Sequence, residues 1–82
     1  MPSIFKIFGL RVVIYPNDHQ PAHVHVHGNG CEAVFKLHCP NGPPTVRENY
    51  GFSKKELVKI LRAIFDNLDK LCAAWRQIHG YH

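Results

Sequence analysis

No apolar run in this chain of 82 residues approaches the ~20 residues that a membrane-spanning helix needs. The opening Met1-Pro2-Ser3-Ile4-Phe5-Lys6 lacks the layout of a secretory signal. There is no Cys-x-x-Cys, and the three cysteines, Cys31, Cys39 and Cys72, are odd in number. They do not read as a disulfide framework, so a reducing cytoplasm is the expected compartment and no membrane partner is expected. Internal repeats and low-complexity segments are also missing, which excludes a repeat array. Acid is scarcer than base, with 6 Asp and Glu against 10 Lys and Arg, for a net charge of +4. That balance is compatible with RNA, DNA or an acidic protein partner, and equally with ordinary solubilising charge.

Apolar residues are plentiful. A hydrophobic content of 45% and an aromatic content of 11% exclude a disordered chain. The length fits one domain over residues 1–82. A chain of this size buries only about 60% of its unfolded surface, so association would help it.

Histidine is concentrated. Between Asn17 and Gly30 lie His19, His23, His25 and His27, and the last three alternate with Val24 and Val26. In a strand, alternate side chains share a face, so the valines would enter a core while the histidines line the other side. Asn29-Gly30 then offers a two-residue type I′ hairpin turn. Pairing across that turn sets Gly28 against Cys31, His27 against Glu32, Val26 against Ala33, His25 against Val34, Val24 against Phe35 and His23 against Lys36. This register keeps Val24, Val26, Ala33 and Phe35 on one face, with Leu37 continuing the row; a slip of one residue would mix the faces. Ile4–Phe8 and Leu10–Tyr15 read as two earlier strands broken at Gly9, and Thr45–Glu48 offers a short edge strand after a proline-rich loop.

Residues 53–79 read as one long helix. Ser53-Lys-Lys-Glu56 is a capping box, and Phe52 can staple against Leu57. Apolar residues recur at helical spacing from Leu57 to Ile78, and Gly80 is a natural stop. Such a helix would be roughly 40 Å long at 1.5 Å per residue. A six-residue strand spans only about 20 Å, so the sheet cannot cover the whole stripe. Either the helix breaks near Asn67 or its second half meets another molecule. The surface around Leu71, Trp75 and Ile78 therefore predicts self-association or a bound protein.

Several of these segments together resemble a known family. They are Met1-Pro2-Ser3-Ile4-Phe5, Asn17-Asp18-His19-Gln20-Pro21-Ala22-His23-Val24-His25-Val26, Glu32-Ala33, Asn49-Tyr50-Gly51-Phe52-Ser53-Lys54-Lys55-Glu56-Leu57 and Trp75-Arg76-Gln77-Ile78-His79-Gly80. The chain is similar to the bacterial domain-of-unknown-function family numbered 4160. The Asp-His-x-Pro-x-His-x-His segment is the most specific part, matched here at Asp18, His19, Pro21, His23 and His25. Ala22 stands where the family often has a second proline, and His27 is not a fixed feature of its pattern. The resemblance implies a small cytosolic bacterial protein encoded beside a partner from the family numbered 2442, in an arrangement similar to toxin–antitoxin pairs. It brings no activity and no catalytic residue.

Three chemistries suit the cluster. His23 and His25, joined by His19, would supply three neutral imidazole ligands to zinc or a similar divalent ion, with Asp18 orienting a ligand ring. An open fourth position would then suit hydrolysis. Without metal, paired histidines can act as acid and base, with Lys36 or Arg11 meeting a phosphate. Without catalysis, the histidine face with Arg11, Glu32 and Lys36, extended by Lys54 to Arg62, could grip nucleic acid or a protein. A purely structural role, with the histidines hydrogen-bonded in place, is the plain alternative.

The expectation is thus an α+β domain, an antiparallel sheet of four strands, with room for a fifth, on one long C-terminal helix. Functionally it is expected to be a cytosolic component of a toxin–antitoxin-like pair that engages nucleic acid or a protein partner through the histidine surface. The alternative is a metal-dependent hydrolase or nuclease using His19, His23 and His25.

Overall fold

The computed structural model describes residues 3–79. Its sheet contains β1 (Ser3–Ile7), β2 (Leu10–Ile14), β3 (His23–Gly28), β4 (Cys31–Lys36) and β5 (Thr45–Tyr50). All neighbours are antiparallel, and spatial order follows chain order. The edge segment after the proline-rich loop is therefore a full fifth strand. The fold is α+β, as the alternation and the helix signals predict.

Two tight turns set the registers. Phe8 and Gly9 (φ 53° and 77°) join β1 to β2, and Asn29 and Gly30 (φ 52° and 75°) join β3 to β4. Both have the paired positive φ values that match the twist of a two-residue hairpin. The β3–β4 pairing is the predicted one at every position from His23 opposite Lys36 to Gly28 opposite Cys31. One face of β2, β3 and β4 consequently presents Leu10, Val12, Ile14, Val24, Val26, Ala33 and Phe35 to the core.

The C-terminal segment covers that face as two helices, not one. α1 (Lys54–Asp66) and α2 (Leu68–His79) meet at Asn67. The Asn67 N–H donates to the Ala63 and Ile64 carbonyls, its Nδ2 donates to the Ala63 carbonyl at 2.8 Å, and its own carbonyl accepts from the Leu71 N–H. One residue thereby closes the first helix and seeds the second. At 13 residues, α1 is about 20 Å long, the span of the strands beneath it. The turn lets α2 fold back onto the same core, where Ile60, Ile64, Leu68, Leu71 and Trp75 are all buried.

Leu71, Trp75 and Ile78, expected at a partner surface, are drawn onto the chain's own core. Leu71 is 0% and Trp75 3% exposed within their own chain, and Ile78 packs partly against the same core. The exposed large apolar residues of the helices are instead Val58 and Phe65. The Gly80 stop and Met1-Pro2 lie outside the described residues.

The cysteine reading also needs correction. Cys39, in the β4–β5 loop, is bonded to Cys72 of α2, and Cys31 alone is free. The odd count concealed one bond between residues 33 apart in sequence. The cysteines therefore no longer argue for a reducing compartment.

The capping box forms as predicted. Ser53 Oγ accepts from the Glu56 N–H at 3.1 Å, and Glu56 Oε1 accepts from the Ser53 N–H at 2.9 Å. Ser53→Ala should cost about 1 kcal/mol, read from the urea midpoint. The Ser53 backbone N–H, and secondarily its side chain, hold the Glu56 carboxyl below its ordinary value of 4.5. A carboxyl with a lowered folded-state pKa stabilises fully above its unfolded pKa and loses that effect as pH falls through the folded one. The stability gap between wild type and Glu56→Gln should accordingly shrink as urea titrations move below pH 4.5.

Candidate functional site

The sheet face opposite the valines carries the histidines. His25 lies between Val13 of β2 and Val34 of β4, and both valines are buried. The β2–β3 loop brings Asp18 to this face. Asp18 returns its N–H to the Tyr15 carbonyl at 3.1 Å, and its Oδ2 accepts from the Tyr15 N–H at 3.3 Å. This reciprocal turn aims the carboxylate at the start of β3.

His23 is fixed on several sides. It is 5% exposed and packs against the Trp75 ring at 5.2 Å between centroids. Its Nδ1 lies 2.8 Å from the Pro21 carbonyl. A carbonyl only accepts, so Nδ1 carries a proton and donates it. The other nitrogen, Nε2, faces Asp18 Oδ2 at 3.3 Å. In a neutral ring that nitrogen holds a lone pair, which leaves two electron-rich atoms facing each other.

His25 repeats the theme. Its Nε2 lies 3.2 Å from the same Asp18 oxygen, and its Nδ1 lies 3.8 Å from Glu32 Oε2. Both nitrogens are buried and neither has a hydrogen-bond partner. The short approach to Asp18 is therefore close in distance but not aligned as a hydrogen bond. Leaving a buried polar atom unpaired costs about 1–3 kcal/mol, which a bound cation would relieve.

Asp18, His23 and His25 form one group whose ligand atoms lie within 4.8 Å of one another, and His25, His27 and Glu32 form a second. Zinc bonds of about 2.0–2.2 Å at tetrahedral angles place neighbouring ligand atoms roughly 3.3–3.5 Å apart. The separations of 3.3 and 3.2 Å at Asp18 fit that geometry. The orientation of the His23 ring fits as well, since a metal-ligating histidine normally donates its other N–H to a carbonyl or carboxylate.

The predicted residues are not all brought together. His23 and His25 are at the centre, and Asp18 is a direct neighbour rather than a remote orienting group. His19 is exposed and lines the adjoining cavity, but belongs to neither group. Of the predicted trio His19, His23 and His25, the structure groups His23 and His25 with Asp18, whose loop turn brings its carboxylate toward them. Glu32 sits beside His25 and His27. Lys36 lines the cavity, whereas exposed Arg11, paired in register with His27, does not. The basic start of α1 lies away from this cavity; Lys59 lines a smaller hollow with Phe8 and Leu10.

The main cavity measures about 430 Å³ and opens over Asp18, His23 and His25. Lys36, Arg47 and Glu48 also line it. Arg47 and Glu48 were not foreseen from sequence, and neither was Tyr15. The Tyr15 hydroxyl lies 3.2 Å from His27 Nε2, and its ring meets His25 edge-on at 4.9 Å. Strand alternation could have flagged Tyr15, which shares a face with Arg11 and Val13. Arg47 and Glu48 follow a register shift between Val34 and Phe35, for which the sequence carries no signal. Glu48 also holds the Tyr50 hydroxyl, and that hydrogen bond, with the charge of Glu48, pushes the Tyr50 phenol above its ordinary range.

Fold and site together define a small α+β domain with a two-histidine, one-carboxylate cluster lining a surface cavity. The family profile described as Domain of unknown function (DUF4160) matches residues 9–76. The chain belongs to that family. No curated protein and no solved structure matches it. Among the described residues, no helix is long and apolar enough to cross a membrane.

Proposed function

We propose that this protein is a metal-dependent hydrolase of phosphate esters, with nucleic acid as its substrate class. The observation that carries this reading is the spacing of Asp18 Oδ2 from His23 Nε2 and His25 Nε2, at 3.3 and 3.2 Å. Three protein ligands leave a further position for water, the usual arrangement of a catalytic zinc. A metal held by Asp18, His23 and His25 would lower the pKa of such a water toward neutrality and so supply a nucleophile. Attack of that water on phosphorus would form one P–O bond and break the bond to the leaving oxygen, which would end with the water's proton. Lys36 and Arg47 line the same cavity and supply positive charge for a phosphate. The net charge of +4 favours an anionic substrate in the same direction.

The test uses protein purified without an affinity tag. A stoichiometric divalent ion and cleavage of bis(p-nitrophenyl) phosphate or RNA are expected. Both should disappear in His23→Ala plus His25→Ala, and cleavage should stop with a chelator. Cleavage that survives metal removal would turn the reading toward metal-free acid–base chemistry. Salt-sensitive RNA binding with neither ion nor cleavage would leave a binding module. Action within a toxin–antitoxin-like pair, with a partner from the family numbered 2442, is part of this proposal and is tested by co-purification of the two proteins.

A further inference from the structure

We infer that His25 bridges two divalent cations, the second held by His25 Nδ1, His27 Nδ1 and Glu32. The inference extends the Asp18–His23–His25 centre and rests on it. His25 is the residue shared by both ligand groups. Its two nitrogens are engaged on opposite sides, Nε2 toward Asp18 at 3.2 Å and Nδ1 toward Glu32 at 3.8 Å. Neither contact is a hydrogen bond, and both nitrogens are shut off from water. A protonated ring joining two carboxylates would need both N–H groups aligned on their acceptors, which is not the geometry found. A single cation at Asp18 would satisfy Nε2 and leave Nδ1 unpartnered.

The second set is built on the same strand pair. His25 and His27 alternate on β3 and stack almost parallel, with 6° between ring planes. Glu32 is directly opposite His27 across the hairpin, and its Oε1 lies 3.8 Å from His27 Nδ1. Closing the two Glu32 separations of 3.8 Å to tetrahedral spacing takes about 0.5 Å, and all ligand atoms of the group already lie within 4.8 Å of one another. Glu32 is about half exposed, so its side chain has room to make it. The Tyr15 oxygen, 3.2 Å from His27 Nε2, can accept that nitrogen's proton and leave Nδ1 free to ligate.

The proton balance is simple. Neutral His25 carries one ring proton, and binding at both nitrogens releases it to solvent. Two metal bonds of about 2 Å on either side of the ring put the ions roughly 6 Å apart. That is beyond the ≈ 3.5–4 Å at which two ions clamp one reacting phosphoryl group. The second ion therefore locks the His25 ring in place and does not contact substrate.

Stripped, untagged protein titrated with zinc in the presence of a weak competing chelator should take up two equivalents. Glu32→Gln, and separately His27→Ala, should reduce this to one. With copper(II), the electron-spin signal per ion should fall as the second equivalent binds, because a bridging ring couples the two spins. One equivalent in the wild type would overturn the bridge and leave the Asp18 centre standing. Two equivalents persisting in both variants, or fully additive copper signals, would also overturn it. No bound ion at all would overturn both proposals.

Discussion

Asp18→Asn should weaken zinc binding by more than about 100-fold, since partners that merely orient a ligand already cost 10–100-fold when lost. The substitution keeps the size of the side chain and removes its charge. It strips the charge from the oxygen that faces both His23 and His25. The amide can still accept from the Tyr15 N–H, so the loop turn should survive and the effect should appear in affinity more than in folding. His19→Ala is the matching control. His19 is exposed and outside both ligand groups, so its loss should leave affinity within a few-fold of wild type. Competition titration against a chromophoric chelator measures both variants. If His19→Ala costs as much as Asp18→Asn, the ligand set is the one read from sequence and the loop must rearrange on binding. If Asp18→Asn binds zinc as tightly as wild type, the centre is elsewhere.

Reduction of the Cys39–Cys72 bond should lower stability by about 3–4 kcal/mol. That figure follows from the chain entropy released to the unfolded state when a closed loop of 33 residues is opened. Domains of this size have total stabilities of only about 4–12 kcal/mol, so the loss is a large share. The bond ties the proline-rich loop to α2, beside Leu68, Leu71 and Trp75. Trp75 in turn backs His23, so loosening α2 should also reduce metal affinity. Urea denaturation with and without a phosphine reductant reads the stability change. The double variant Cys39→Ser plus Cys72→Ser should be insensitive to reductant, because Cys31 has no partner. A wild-type midpoint that reductant leaves in place would show that the two thiols are not bonded in solution.

Much of the fold was legible because its signals are local. Asn29-Gly30 and the alternation of histidine with valine determined the β3–β4 register residue by residue, and Ser53 with Glu56 marked where α1 begins. The helix break was legible only as a mismatch of lengths. Asn67 carries no strong stop signal, and the choice between a break and a partner depended on how much apolar surface the sheet offered. The disulfide joins residues far apart in sequence, with no pattern around either to announce it. For the candidate site, strand periodicity located His23, His25 and their neighbour Glu32. It could not locate Asp18, which reaches the cluster through a non-periodic loop. His19, from the same loop, lines the cavity but stays outside both groups. Arg47 and Glu48 were hidden by the bulge in the last strand pair.

The strict chain-order sheet has a kinetic consequence. Each strand pairs with its sequence neighbour, two of them through tight turns at Phe8-Gly9 and Asn29-Gly30 and the others through the loops before His23 and Thr45. Topologies dominated by such near pairings have low contact order and fold quickly for their class. The residues Asp18, His23, His25, His27 and Glu32 all fall within one such stretch, spanning the β2–β3 loop and the β3–β4 hairpin. A cation present during folding could meet its ligands as soon as the central hairpin closes, before the helices dock. Refolding rates should then rise with zinc in the wild type and not in Asp18→Asn.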